Sequence, residues 1–406
     1  MRNLYGKEWV MKKKVFGVCV LLLTAVFGLS GFGLAEEGVT DTEIHIAQWG
    51  PQTGPAAAWG SIPRATGHYF QMLNDEGGIH GRKIVYHMFD DAYNPAKTKA
   101  GVKQLQEDVG IFAWVGGVGT ACGLAVKNYL MAKKVPWVTP ATGSRHWIDP
   151  PQKYLFSTFA LYSTGAKVHC KYAYEQQGLK RFALAYQNDD YGKAYLQGAK
   201  EQLAKYGLKL VEAIPVEFRD TDLKPHVRKL KKAKAQATLI CLTPMHAARI
   251  VMTGRQMRFN TQWMASSPCS DFPLMYKITK GAWEGVIAAT FAELPDSDLP
   301  LMKKYRAAYK KYATKEERWG IFYYAGFGFA EPLVEGLKRA GRDLTREKLV
   351  SAMEGIRDFK GITGHINFAP FDPKDPWCRQ GQDEVFLVQC QKGGKYKVIT
   401  DWIEIR

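Results

Sequence analysis

Acidic residues are in short supply in this 406-residue chain, where 39 Asp and Glu stand against 56 Lys and Arg for a formal net charge of +17. Cysteine is scarce too, at seven, and none has zinc-site spacing, so neither a disulfide scaffold nor a structural zinc site is expected. No Ser/Gly tract, charge block or low-complexity stretch follows residue 35, which excludes a flexible interdomain linker. The chain has no G-x-S-x-G elbow and no H-E-x-x-H helix, so two common hydrolase constellations are missing. Gly117 and Gly119 begin a G-x-G-x-x-G pattern that fails at Cys122, which argues against a dinucleotide loop. Long apolar runs are absent but for one.

That run, residues 15–29, follows Lys12-Lys13-Lys14, contains only Thr24 as a polar residue, and precedes the small-residue stretch Gly33-Leu34-Ala35. It is shorter than the roughly 20 residues of a spanning helix, so residues 1–35 read as a secretory signal peptide, with Met11 as an alternative start. Cys19 lies too early in the run to carry a lipoprotein lipid. Cleavage there leaves 371 residues carrying 51 basic and 38 acidic groups, together with six cysteines. Cys378 and Cys390 flank a strand-like EVFLV, a spacing open either to a bridged hairpin or to two thiols. An exported chain has little access to nucleic acid, and the densest basic run, LKPHVRKLKKAK at 223–234, has the spacing of a solvated helix face.

Short β-rich runs at 83–89, 111–115, 135–139, 181–186, 208–214, 237–242 and 262–265 alternate with helical patterns such as 95–107, 191–206 and 247–257. That alternation predicts an α/β fold with parallel sheets wound by helices, and the length suggests two domains. The opening unit is a strand at Ile44, Ile46 and Gln48, a turn with Gly50, Pro51, Gly54 and Pro55, and a helix with Ala65, Tyr69, Phe70 and Leu73 on one face. Open α/β sheets hold ligands at the carboxyl ends of their strands, which makes Trp59 a candidate pocket wall. The turn 115–123 likewise joins a strand to a helix and presents free backbone N–H groups suited to a carboxylate.

Thr53-Gly54-Pro55, Ala58-Trp59-Gly60 and the run from Asn74 to Lys83, NDEGGIHGRK, stand in an order and spacing that resembles the branched-chain amino acid binding proteins. Those are extracytoplasmic solute receptors of ABC transporters. The resemblance implies two Rossmann-like lobes joined by a three-crossing hinge, the type I periplasmic binding protein fold. Lobe 1 is then residues 41–159 plus 291–367, and lobe 2 is 160–290 plus 368–406. It also implies that the turns at 115–123 and 138–144 share the ligand carboxylate, placing Thr120, Ala121, Cys122, Ala141 and Thr142 in the site, and that Tyr191 faces them across the cleft.

In one respect the chain departs from those relatives. Where amino acid binders place an acidic residue for the ligand ammonium, this chain has Ser266-Ser267-Pro268-Cys269-Ser270, with Asp271 as the nearest carboxylate. A buried ammonium needs such a partner, so either Asp271 joins Ser267 in the pocket or the ligand is an aliphatic or aromatic acid without an amine. Trp49, Trp59, Trp263 and Trp319 near strand ends favour a flat or apolar ligand, although most are expected in the core. The nine histidines are scattered, and Asp90-Asp91 and Asp189-Asp190 read as caps before acid–base pairs. The resulting expectation is a monomeric periplasmic binder of a branched-chain amino acid or related small carboxylate, delivering to an inner-membrane ABC permease, with no cofactor, metal or catalysis. A ligand-sensing periplasmic module and an exported hydrolase are the other classes considered.

Overall fold

The computed structural model describes residues 36–405; the signal peptide read at 1–35 lies outside the described residues. The chain opens with β1 (Glu43–Gly50), α1 (Ser61–Asp75), β2 (Lys83–Asp90), α2 (Pro95–Asp108), β3 (Ala113–Val115), α3 (Thr120–Ala132), β4 (Trp137–Val138) and β5 (Leu155–Phe156). These five strands form one parallel sheet in the order β2-β1-β3-β4-β5. A second unit follows: α4 (Tyr162–Glu175), β6 (Phe182–Gln187), α5 (Asp190–Lys205), β7 (Leu210–Val216), α6 (Lys224–Lys232), β8 (Ala237–Cys241), α7 (Pro244–Gln256), β9 (Gln262–Ala265), α8 (Phe272–Ile278) and β10 (Ile287–Thr290). Then come α9 (Pro300–Tyr312), α10 (Ile321–Ala340), α11 (Arg346–Glu354), the hairpin β11 (Phe359–Gly361) and β12 (Gly364–Ile366), and finally β13 (Glu384–Cys390), β14 (Tyr396–Val398) and β15 (Ile403–Glu404).

The second sheet runs β14-β13-β10-β9-β8-β6-β7, with β15 also paired to β13. Strands β6 to β10 are mutually parallel, and β13 joins antiparallel to β10. Helices cover both faces of such strands, so they carry continuous apolar side chains: every residue of β8, Ala-Thr-Leu-Ile-Cys, is buried. The chain leaves the first sheet after β5, returns to it after β10, and leaves it again before β13. On the return, α10 packs against α1 closely enough that Thr66 Oγ1 donates to the Gly326 carbonyl at 3.0 Å. Two crossings touch at the aromatic stack of Phe159 on Phe291, with centroids 4.3 Å apart.

Element positions agree with the sequence pattern to within a few residues. The helix expected at 247–257 begins at Pro244, because Thr243 caps it and a proline at the first turn needs no N–H acceptor. The strand expected at 135–139 shrinks to Trp137–Val138, since Thr139 turns to φ 52° and ends the ladder. The bridged hairpin between Cys378 and Cys390 does not form. Both are buried free thiols; Cys378 lies in the 3₁₀ turn Pro376–Arg379, whereas Cys390 ends β13, whose antiparallel partners are β10, β14 and β15. The other tryptophans divide as expected. Trp49 and Trp263 are fully enclosed in core clusters, and Trp319 stacks on Tyr324 at 5.0 Å.

Candidate functional site

The loops that follow the carboxyl ends of strands in both sheets converge on one cavity lined mostly by buried residues. From the first sheet, the segment after β1 contributes Trp59 and Ile62, the turn after β2 contributes Tyr93, the turn after β3 contributes Val118 and Gly119, and the turn after β4 contributes Ala141. From the second, Tyr191 opens α5 after β6, and Ser267 and Pro268 follow β9. The crossings add Phe159 and Phe291, and α10 adds Ile321, Phe322 and Ala325.

Gly119 is the cap of α3, where φ is 101° and an added Cβ would stand 2.7 Å from the Tyr93 ring. Glycine alone suits that backbone and that approach. No side chain caps this helix, and its first internal bond runs from Gly123 N to Gly119 O at 2.9 Å, so the first-turn N–H groups of Thr120, Ala121 and Cys122 precede it. Behind Gly119 and Ala141, Thr120 Oγ1 and Thr142 Oγ1 lie 2.5 Å apart, and the Tyr162 hydroxyl donates to Thr142 Oγ1 at 3.2 Å. Run in that direction, the chain of three hydroxyls leaves its last proton on Thr120. Donors and the positive end of a helix dipole therefore converge at one end of the cavity.

Across the cavity, Tyr191 OH is 2.8 Å from Ser266 Oγ and its ring packs on Tyr162 at 4.6 Å. Burial raises the Tyr93, Tyr162 and Tyr191 phenols well above the ordinary tyrosine value, so all three stay neutral. Contacts that tie the loops of one sheet to those of the other include Trp59 Nε1, which donates to the Pro268 carbonyl at 3.1 Å, the stack of Tyr93 on Phe218 at 5.4 Å, and His146 Nε2 beside Asp190 at 3.7 Å. Beyond that stack a larger cleft opens to solvent, lined by residues that include Asn94, Arg219, Asp220, His246 and Arg249.

Of the residues singled out in the sequence, Trp59, Ala141, Tyr191 and Ser267 line the enclosed cavity, and Thr120 and Thr142 are buried just behind it. Ala121 is half-buried in the first turn of α3. Cys122 points into the separate core beneath that helix, near Asp91, and burial pushes its thiol up. Asp271 is buried at the start of α8, where it accepts from Leu274 N at 3.1 Å and from Phe322 N at 3.4 Å. Sequence reading missed Tyr93, Phe159, Tyr162, Phe291 and Phe322. Tyr93 carried a usable signal, since it follows a strand end and precedes Asn94-Pro95, the start of a helix; the others depend on chain crossings more than 100 residues apart, such as Phe159 with Phe291.

Comparison with known proteins gives the same architecture a family. A family model described as periplasmic binding protein matches residues 43–395. The leucine-, isoleucine-, valine-, threonine- and alanine-binding protein of Pseudomonas aeruginosa is 24% identical over 347 residues, covering 85% of this chain and 90% of that protein. A substrate-binding periplasmic protein from Ralstonia solanacearum superposes with a TM-score of 0.80 at 25% identity, over 88% of this chain and 100% of its own. The fatty acid ABC transporter substrate-binding protein from Thermomonospora curvata gives 0.81 at 25% identity, over 91% and 94%. With its two strand-end loop sets facing one cavity and the family model spanning nearly all the described residues, the chain belongs to the periplasmic binding protein family, on the branched-chain amino acid side of it.

Proposed function

We propose that this protein is the extracytoplasmic solute-binding component of an ABC importer and captures a small carboxylate, of about the size of a branched-chain amino acid, between two closing lobes. The observation that carries the proposal is the enclosed cavity bordered on one side by the uncapped start of α3. The N–H groups of Thr120 and Ala121, with the hydroxyl of Thr120 held by that of Thr142, would neutralise the carboxylate, and Ala141 would border it. Cys122 would contribute its backbone N–H alone, because its side chain lies in the core.

Lobe 1 would comprise residues 41–159 plus 291–367 and lobe 2 residues 160–290 plus 368–406, with Trp59 and Tyr191 closing on the ligand from opposite sides. A ligand that touches both lobes favours the closed state by its extra contacts there, and closure is what a permease would read. The protein acts by binding and not by turnover, a reading supported by its likeness to proteins named as binding proteins. A periplasmic location, a monomeric state and an inner-membrane permease partner complete the proposal. No helix among the described residues is long and apolar enough to cross a membrane.

The test is a thermal-shift screen of protein lacking residues 1–35 against branched-chain and aromatic amino acids together with their deaminated acids. A native-state ligand at a hundred times its Kd adds about 2.7 kcal/mol of stability and raises the melting temperature by several degrees. Absence of any shift across both sets at millimolar concentration would remove the small-carboxylate proposal.

A further inference from the structure

We infer that the ligand of this cleft is a monocarboxylic acid with an apolar, ring-sized body and no α-ammonium group. The inference rests on the reading of the cleft as a carboxylate site and narrows it. None of the residues that line the enclosed cavity is Asp, Glu, Lys, Arg or His. An ammonium buried there would need a charged acceptor to replace its water, and no carboxylate lines the cavity to supply one.

Three carboxylates near the site, the buried Asp91 and Asp271 and the half-buried Asp189, each hold local structure. Asp91 accepts from Thr98 Oγ1 at 2.7 Å and Tyr93 N at 3.0 Å. Asp189 accepts from Gly192 N at 3.2 Å as the cap of α5. Asp271 serves Leu274 N and Phe322 N and borders a different, smaller cavity beside Gly320 and Tyr324. Backbone carbonyls at the rim are likewise occupied. Val118 O accepts from Trp49 Nε1 at 3.3 Å, Ser267 O from Ser270 Oγ at 2.8 Å, Pro268 O from Trp59 Nε1 at 3.1 Å and Phe322 O from Ser61 Oγ at 3.0 Å.

Donors are arranged the opposite way, with the uncapped start of α3 bordering one end of the space at Gly119 and the Thr120–Thr142 hydroxyl pair buried beside it. The site is therefore asymmetric in charge preference: it offers a place to one negative end and none to a positive end. The remaining wall is rings, from Trp59, Tyr93, Phe159, Tyr162, Phe291 and Phe322, which suits an aryl or branched alkyl body through burial and edge or face contact.

The experiment is titration calorimetry of the protein lacking residues 1–35 with matched pairs: 3-phenylpropanoate against phenylalanine, and 4-methylpentanoate against leucine. The expected result is that at least one acid binds more than about tenfold tighter than its amino acid partner, the ratio that one uncompensated polar burial supplies at minimum. Ser267→Asp, which places a carboxylate in the lining, should shift the ratio back toward the amino acid, with folding checked by its unliganded melting curve. Tighter binding of either amino acid than of its acid overturns the inference while leaving the carboxylate site intact. Failure of all four compounds to bind at millimolar concentration overturns both.

Discussion

Glu331 is the residue whose surroundings make the sharpest demand on the medium. It is buried on α10, receives the Tyr305 hydroxyl at 2.5 Å and Ile362 N at 3.0 Å, and burial pushes its carboxyl up to about 8 from an ordinary 4.5. The folded value lies above the unfolded one, so the stability this group contributes is fully present below about pH 4.5 and is lost as pH rises through 8. Glu331→Gln should therefore flatten the pH dependence of urea unfolding across that window. At pH 8.5 the variant is expected to be more stable than the parent by an amount on the order of 3 kcal/mol, the two converging near pH 5. A parent curve with no decline between pH 5 and 8 would refute this. At the cavity, Trp59 carries both a wall and an interlobe hydrogen bond, and Trp59→Ala should weaken binding of 3-phenylpropanoate by about 10- to 100-fold in calorimetry.

Among the elements, the short helix α8 shows how a residue read as a ligand contact can serve as a structural one. Asp271 caps α8 and also receives Phe322 N from the first turn of α10, which joins the loop after β9 to the helix that packs on α1. Asp271→Ala should lower unfolding stability by about 1–3 kcal/mol yet leave the preference between an acid and its amino acid unchanged. A change in that preference with stability intact would put Asp271 in the ligand site. At α3, Gly119→Ala forces a side chain into φ 101° and toward the Tyr93 ring, so melting temperature and affinity should fall together. The sequence pattern showed these elements well where burial on two faces produced continuous apolar strands, as in β8 and β9. It showed β4 too long, because the apolar Val135 and Pro136 precede the strand and Thr139 turns to φ 52° after it. The tyrosine at 191 was readable only through the resemblance, since its place after a strand suits a helix cap equally well. Phe159 and Phe291 were not, since their contact follows from two crossings that no local pattern reveals.

For the whole molecule, the two sheets meet through contacts between loops, among them Trp59 on Pro268, Tyr93 on Phe218, His146 beside Asp190 and Phe322 N on Asp271, with the Phe159–Phe291 stack where the chain crosses. Such an arrangement supports hinge motion, because these contacts between loops are what must separate when the loops part. Small-angle scattering should show a smaller radius of gyration with saturating 3-phenylpropanoate than without it, and Phe218→Ala should enlarge the unliganded particle. The basic surface, including the exposed Arg219 and Arg249 at the mouth of the outer cleft, should make association with an anionic ligand faster at low salt. The measurement that bears most directly on the central claim is a crystal structure of the protein lacking residues 1–35 grown with 3-phenylpropanoate. The account predicts the carboxylate within hydrogen-bond distance of the Thr120 and Ala121 N–H groups, its ring between Trp59 and Tyr191. A molecule bound instead in the outer cleft beside Arg219 and Arg249, or no bound molecule at all, would contradict it.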